Sequence, residues 1–389
     1  MSSNLLDKIN INKEDEYFLK KLLKDFYRKL IETTDFNNFK KISSEWLNYE
    51  IENNDKDQKR VLEMMENHEE SKSLFTSFMG FFYQLGIGCV LDKEKAYYYG
   101  KRVNKNEKKA FEWYLRSAIA GCAAGQDSLG DCYANGIGTG KDETKAFEWY
   151  MKSAVAGCAV GQYNLGNCYG NGIGTDKDES KAFEWYMKSA ENGNETAQNN
   201  LGDCYANSIG TEKDETKAFE WYMKSAVAGC AVGQNNLGNC YGNGIGTDKD
   251  EEEAFEWYMK SAENGNEMAQ NNLGECYGNG IGTDEDKKKA FEWFIKSAEN
   301  GNAVGQNNLA NCYEDGMGTD KDEEKAFEWY LKSAIGGCAM GQFNIGDFYF
   351  YGIGIGKNLD KAIDWYKKAS DNGFNEGKIM LDTIAANSL

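Results

Sequence analysis

The sequence predicts an all-α solenoid, a right-handed superhelix of 36-residue helix-turn-helix repeats with an N-terminal helical cap. Three observations support this prediction. Eight of the nine tryptophans stand 36 residues apart, from Trp113 to Trp365. About a dozen columns recur in the same phase, and the 389 residues include no proline, which suits a chain that is nearly all helix. A fixed period of this length is typical of stacked helical hairpins.

One repeat shows the two helices. Residues 161–169 place Leu165, Cys168 and Tyr169 on one helical face, and this segment is named helix A. The glycines in 172–174 predict a left-handed turn at its end. The following helix, named helix B, is expected to begin at the N-cap residue Asp178.

Several columns have a physical explanation within this scheme. Ala182 and its equivalents let neighbouring backbones approach closely, and Gln162 and its equivalents are expected to form hydrogen bonds between repeats. Gly193 and its equivalents are expected to end helix B. Glu148 and Lys152 stand at i and i+4, which predicts an ion pair on helix B. The tryptophan column is interpreted as a packing ladder and not as a ligand-binding box.

The array has atypical ends. Residues 1–72 contain three amphipathic helical segments, which we expect to form an N-terminal cap, with a separate partner-binding module as the alternative. Residues 73–108 form a degenerate first repeat with an insertion, and residues 109–374 form the regular array. Residues 375–389 are expected to be a polar capping helix, because a terminal repeat must not expose a stacking face.

Two neighbouring repeats have been duplicated together. Residues 142–157 and 214–229 are identical, and residues 158–179 match residues 230–251 except at Tyr163 and Asn235. Copying two repeats adds nothing to a catalytic centre, whereas it lengthens an interaction surface. The duplication therefore favours a binding function.

The repeated motif resembles the Sel-one-like repeat family, a branch of the tetratricopeptide-like superhelices. The pattern L-G-x-x-Y-x-x-G-x-G stands at 165–174, and K-A-x-x-W-Y-x-K-S-A follows at 181–190. The resemblance extends over residues 73–389, about four fifths of the chain. It implies an adaptor that assembles protein complexes, as in protein quality control, signalling or cell-cycle regulation. It also implies that helix A lines the concave side of the coil.

Helix A carries two polar columns on its expected outer face. Their stacked amides and carboxylates could clamp an extended peptide through backbone amides and basic side chains. Asp127, Tyr163 and Phe343 replace the amide of the first column and could set specificity. The alternative is a solvated face that binds nothing. The hypothetical partner-binding residues are Tyr163, Asn199, Asp203, Asn235, Asn239, Asn271, Glu275, Asn307, Asn311 and Phe343.

The charge balance limits the class of partner. The chain has 44 Lys and Arg against 63 Asp and Glu, a net charge of −19, and no basic stripe. Such a surface repels phosphate backbones and anionic lipids, so we expect protein or peptide partners that are neutral or basic, with no nucleic acid and no membrane. The polar segment 1–10 favours a cytoplasmic protein over an adaptor of the secretory pathway. Nothing in the sequence indicates the oligomeric state.

We expect no catalytic residue, cofactor or metal site. His68 is the only histidine, and no C-x-x-C spacing occurs among the 11 cysteines. The cysteines form two incompletely matched columns, which favours buried thiols over disulfides. The alternative is a hydrolase-like enzyme, by analogy with cysteine-rich relatives of the family that the chain resembles.

Overall fold

The structure is a computed structural model that describes residues 107–387, together with residues 17–19, 21–22, 25, 50–51 and 61. Within 107–387 every regular element is an α-helix. In the predicted N-terminal cap, the described residues 17–19 and 21–22 are helical, and Leu19 and Leu22 are buried. Most of the cap and nearly all of the degenerate repeat at 73–108 lie outside the described residues.

The chain divides into two compact units, Met1–Asn192 and Gly193–Leu389. The helices of the first unit are α1 (Glu107–Ile119), α2 (Ala123–Asn135), α3 (Glu143–Val155), α4 (Ala159–Asn171) and α5 (Glu179–Glu191). Those of the second unit are α6 (Glu195–Asn207), α7 (Glu215–Val227), α8 (Ala231–Asn243), α9 (Glu251–Glu263), α10 (Glu267–Asn279), α11 (Lys287–Glu299), α12 (Ala303–Asp315), α13 (Glu323–Ile335), α14 (Ala339–Tyr351), α15 (Leu359–Asp371) and α16 (Asn375–Asn387).

The even-numbered helices are the predicted A helices, and the odd-numbered helices are the B helices. Within each unit every helix packs against the next helix along the chain. Some A helices also contact the next A helix, as α2 does with α4 in the first unit and α6 with α8 in the second. This arrangement confirms the all-α solenoid of helical hairpins.

The predicted helix ends are confirmed. Asp178 is the N-cap of α5, and its Oδ1 accepts a hydrogen bond of 3.0 Å from the backbone N–H of Lys181. Helix α4 ends at Gly172, which has the left-handed φ of 69°. Gly193 follows α5 with φ of 84°.

The second glycine of each turn allows a close approach between repeats. Gly246 lies in the turn after α8 and has φ of 69°. A Cβ at this position would lie closer than 3.0 Å to the backbone carbonyl oxygen of Glu215, in the first turn of α7. The turn of one hairpin therefore rests on the start of the preceding B helix, where no side chain fits.

Aromatic pairs join neighbouring hairpins within each unit. Phe147 of α3 meets Tyr169 of α4 edge to face, with ring centroids 5.4 Å apart, and Phe219 of α7 meets Tyr241 of α8 in the same way. The leucine of each A helix from α2 to α12, such as Leu237, is at most 1% exposed. Each hairpin therefore covers the apolar flank of the next, as the sequence predicts.

The tryptophan column is confirmed as a packing column, but the lysine beside it behaves differently from the prediction. Trp293 and Trp329 pack against the core. The Lys152 ammonium lies 3.7 Å from the ring centroid of Trp149, and the equivalent lysines lie 3.6–4.0 Å from theirs. The predicted Glu–Lys ion pair is found in the described helices only at Glu256 and Lys260, at 3.9 Å. Lysine favours the ring because the tryptophan is only partly covered.

Ser208 is a point of backbone strain in the second unit. It occupies the position that ends an A helix, which is glycine in the other turns, and its φ is 59°. We expect Ser208→Gly to stabilise the second unit by about 1 kcal/mol, because a side chain disfavours the left-handed conformation. Urea unfolding and hydrogen exchange at the end of α6 would measure this. Gly244→Ser is the reciprocal control and should be destabilising, and a less stable Ser208→Gly protein would contradict the prediction.

Candidate interaction face on the A helices

The first predicted polar column is buried, so the expectation that it forms an outer face is wrong for the four asparagines. Asn199, Asn235, Asn271 and Asn307 are at most 5% exposed. Each occupies the fifth residue of its A helix. The next A helix covers them, a contact that the periodicity of one helix does not reveal.

These buried amides form an inter-repeat hydrogen-bond series, which we name the amide ladder. In each step the asparagine at the sixth residue of one A helix donates to the fifth residue of the preceding A helix. The four bonds in the second unit are Asn236 to Asn199 (2.9 Å), Asn272 to Asn235 (3.1 Å), Asn308 to Asn271 (3.0 Å) and Asn344 to Asn307 (2.9 Å). Because an unpaired buried amide is costly, the ladder fixes how each hairpin stacks on the next.

The ladder has a different composition in the first unit. Asn164 of α4 donates to the Asp127 carboxylate of α2 at 2.9 Å. Asp127 is 7% exposed, and burial raises the pKa of its carboxyl to about 7, with a further contribution from the nearby Asp131. Asp127 therefore places a carboxyl at the ladder position that an asparagine amide occupies in the second unit.

The two aromatic residues of the first column pack against helix B. The Tyr163 ring lies 6.1 Å from that of Tyr186 in the first unit, and the Phe343 ring lies 5.5 Å from that of Tyr366 in the second. Phe343 and Met380 of α16 belong to one apolar cluster. Met380 is the sixth residue of its helix, so an apolar pair replaces the polar step at this end of the ladder.

The side chains of the second polar column are half-buried, and tyrosine hydroxyls of the B helices donate hydrogen bonds to three of them. Tyr222 donates to Asp203 Oδ1 at 2.6 Å, and Tyr258 donates to Asn239 Oδ1 at 2.8 Å. Asn311 accepts in the same way from Tyr330. Burial raises the pKa of the Asp203 carboxyl, and the bond from Tyr222 opposes that change. These side chains therefore have a fixed direction and remain partly open to solvent.

Glu275 differs from the other members of the second polar column, because no tyrosine hydroxyl donates to it. The B-helix residue facing its position is Phe294, which has no hydroxyl to donate. Glu275 instead accepts from Asn271 at 2.9 Å and from Asn308 at 3.2 Å. The longer side chain reaches the amide ladder, so the polar column is unbroken at this repeat.

The glutamine column forms the hydrogen bonds between repeats that the sequence predicts. Gln162 donates to the backbone carbonyl of Ala154 on the preceding B helix at 3.3 Å. It also accepts from Asn192 at 2.8 Å. The glutamines therefore serve packing and leave the polar columns as the candidate binding residues.

The described cysteines fall into two structural classes. Cys168, Cys240 and Cys312 are buried in A helices, where burial raises the pKa of each thiol to about 11 or 12. Cys158 and Cys230 are N-cap residues of α4 and α8. At neutral pH the buried thiols are protonated, and a protonated thiol is a weak nucleophile.

The A helices carry no cation over a long stretch of the array. Helices α2, α6, α10, α12 and α14 contain Asp or Glu, helices α4 and α8 contain neither, and none of the seven contains Lys or Arg, whereas every described B helix contains at least one of these cations. The A-helix face is therefore acidic or neutral along each unit. The sequence shows this segregation of charge, although the prediction from net charge did not use it.

The described residues hold no cluster of three or more His, Cys, Asp or Glu that could bind a metal. Among the described helices none is both long enough and apolar enough to cross a membrane.

Stacked antiparallel hairpins joined by aromatic pairs and an amide ladder define a helical repeat protein. The Sel1 repeat family matches eight consecutive segments of the chain, at 77–122, 123–158, 159–194, 196–230, 231–266, 267–302, 303–338 and 339–374. The chain belongs to the Sel1 repeat family, as its resemblance to the Sel-one-like repeats predicts. Repeats of this kind typically mediate interactions between proteins.

Two solved structures are similar over long segments. A protective antigen of uropathogenic Escherichia coli with an SLR fold is 29% identical, with 98% of this chain and 91% of that chain covered and a TM-score of 0.66. A Sel1 repeat protein from Oxalobacter formigenes is 31% identical, with 63% of this chain and 96% of that chain covered and a TM-score of 0.58. No curated protein matches the chain.

Proposed function

We propose that this protein is a non-catalytic adaptor that holds an extended segment of a partner protein on the A-helix face of its second unit. The observation that carries the proposal is the second polar column, Asp203, Asn239, Glu275 and Asn311. These side chains occupy the ninth residue of four successive A helices, partly exposed and held from behind by tyrosines or ladder amides. A row of preoriented acceptors suits the backbone N–H groups and cationic side chains of an extended chain.

The buried first column supports this function indirectly. Asn271 donates to Glu275, and Asn199 donates to Asp203 at 3.1 Å. The ladder therefore sets the spacing and direction of the exposed row. In this proposal Asn235 and Asn307 position the face, and Phe343 bounds it at α14. Tyr163 belongs to the first unit and has no part in the proposed face.

The charge of the face favours a basic partner over a neutral one. Asp203, Glu275 and Asp347 each occupy the ninth residue of an A helix, and no cation lies on α6, α8, α10, α12 or α14. Opposite charges steer a cationic segment toward such a surface and repel an anionic one. We further propose that the protein acts in the cytoplasm, where a reducing environment maintains thiols such as Cys168 and Cys240.

The test compares neutral isosteres with a control of equal charge. Asp203→Asn with Glu275→Gln removes two charges from the polar column while retaining acceptors for Tyr222, Asn271 and Asn308. Asp248→Asn with Asp284→Asn removes two charges from exposed loops of the same unit. The probe is a fluorescent lysine-rich peptide, and fluorescence anisotropy measures its affinity for the full chain.

We expect the column variant to bind the lysine-rich peptide about ten-fold more weakly, and the loop variant to bind it like the wild type. Circular dichroism should show the same helix content in all three proteins. Equal affinity of the two variants, or equal binding of a glutamate-rich peptide, would refute the proposal.

A further inference from the structure

A row of exposed apolar side chains runs along the A helices of the second unit from α8 to α14, and it overlaps the second polar column at α8, α10 and α12. Its members are the second residues of α8, α10, α12 and α14, with exposures of 40–45%. This apolar row consists of Val232, Met268, Val304 and Met340. It belongs to neither polar column, and the periodicity of a single helix does not distinguish it from core.

The apolar row lies on the same side of the A helices as the polar columns. The second, fifth or sixth, and ninth residues of a helix share one face, because they are spaced at i, i+3 or i+4, and i+7. A contact confirms the placement: Asn307 Nδ2 of α12 lies 3.7 Å from Met340 Sδ of α14. The apolar row and the second polar column therefore flank the amide ladder on its two sides.

The fold itself does not require an apolar side chain at this position. The second residue of α6 is Thr196, and that of α16 is Glu376. Four apolar side chains at 40–45% exposure in successive repeats offer a repeated apolar contact surface that a partner's apolar side chains could cover. Methionine at two of the four positions suits contact with varied apolar groups, because its side chain is flexible and polarisable.

We propose that the second unit binds a basic segment that presents apolar side chains along one edge and cationic side chains along the other. The apolar edge lies on Val232, Met268, Val304 and Met340, and the cationic edge faces Asp203 and Glu275. The charge of the A helices selects this occupant, because α6, α10, α12 and α14 carry carboxylates and none of the A helices from α6 to α14 carries a cation. This inference rests on the proposed function and adds the partner's chemistry to it.

A second copy of the chain is a poorer occupant. The chain carries a net charge of −19, so pairing two acidic A-helix faces would be repulsive. Sedimentation of the wild type and of the variant described next separates this possibility. If the wild type sediments as a dimer and the variant as a monomer, the apolar row serves self-association and the proposal is overturned.

The test replaces the row with the residue that α6 already carries. The row variant combines Val232→Thr, Met268→Thr, Val304→Thr and Met340→Thr in the full chain. The control variant combines Val227→Thr and Ile335→Thr, the last residues of two B helices, which are each 72% exposed. The probes are three fluorescent peptides: one of alternating lysine and leucine, one with serine replacing leucine, and one with glutamate replacing lysine.

We expect the wild type to bind the lysine–leucine peptide at least about ten-fold more tightly than either other peptide. The row variant should lose that advantage while binding the lysine–serine peptide like the wild type, and the control variant should keep it. Unchanged affinity of the row variant for the lysine–leucine peptide, or an equal loss in the control variant, would overturn the inference.

The same measurements separate the two proposals. If Asp203→Asn with Glu275→Gln weakens binding and the row variant does not, only the inference about the apolar edge fails. If neither variant weakens binding of any peptide, the proposed function fails with it.

Discussion

Asp127→Asn is expected to stabilise the first unit at pH 8 and to leave its stability nearly unchanged at pH 4. The carboxyl has a pKa of about 7 in the folded state, against 3.8 for the ordinary group, chiefly because burial disfavours its charge. The folded state therefore retains a proton that the unfolded chain releases between these values, and stability falls as pH rises from about 4 to 7. The gain above pH 7 is on the order of 4 kcal/mol, since the pKa rises by roughly 3 units and one unit corresponds to about 1.4 kcal/mol.

The substitution keeps the geometry of the ladder, because an asparagine side-chain oxygen can accept the bond from Asn164. Hydrogen exchange in α2 and α4, measured at pH 4.5 and pH 8 and corrected for intrinsic exchange rates, would report the change in this unit. Asp142→Asn is the matched control, because hydrogen bonds from Lys145 lower the pKa of Asp142 and the pH dependence has the opposite sign. Equal pH dependence of the wild-type and Asp127→Asn proteins would contradict the prediction.

Gly246→Ala should destabilise the second unit by about 3 kcal/mol or more. The left-handed backbone contributes about 1–2 kcal/mol to this cost, and the remainder comes from the contact of the new methyl group with the Glu215 carbonyl. The backbone of α7 cannot move away without disturbing its first turn. We therefore expect protection from hydrogen exchange to fall first in α7 and α8.

Gly265→Ala separates the two contributions. Gly265 has φ of 87°, but a Cβ there would meet no atom within 4 Å. It should therefore carry only the backbone cost, about 1–2 kcal/mol. Urea unfolding of both variants measures the difference in their free energies of unfolding. Equal destabilisation would contradict the prediction, because it would show that the turn at Gly246 moves to accommodate the added methyl group.

Much of the architecture was predictable because it depends on contacts that recur locally. The spacing of the tryptophans predicted the repeat, and Asp178 and Gly193 predicted the helix ends. Each of these features acts within one hairpin, where the order of residues along the chain gives the neighbours directly. The cap at 1–72 has no repeat with which to compare it, so it stays a prediction.

The candidate site was less predictable because its key contacts join residues 37 positions apart. Asn199 and Asp203 stand four residues apart on α6, and this spacing predicted that both side chains lie on one exposed face of the helix. The amide of Asn236 on the next A helix covers Asn199, and helical periodicity contains no information about that neighbour. A signal was nevertheless present in the sequence: where Phe343 replaces the amide, its partner position holds Met380 instead of asparagine.

The amide ladder determines where additional repeats can be inserted into the array. Between α6 and α14 every step offers an acceptor on one side and a donor on the other, so an additional pair of hairpins inserted there would find complementary partners at both junctions. If the same pair of hairpins were inserted next to Phe343 and Met380, an asparagine amide of the insert would face an apolar side chain and would lack a hydrogen-bond partner. Lengthening during evolution is therefore favoured inside the array and resisted at its C-terminal end, and the 72-residue duplication is an internal one.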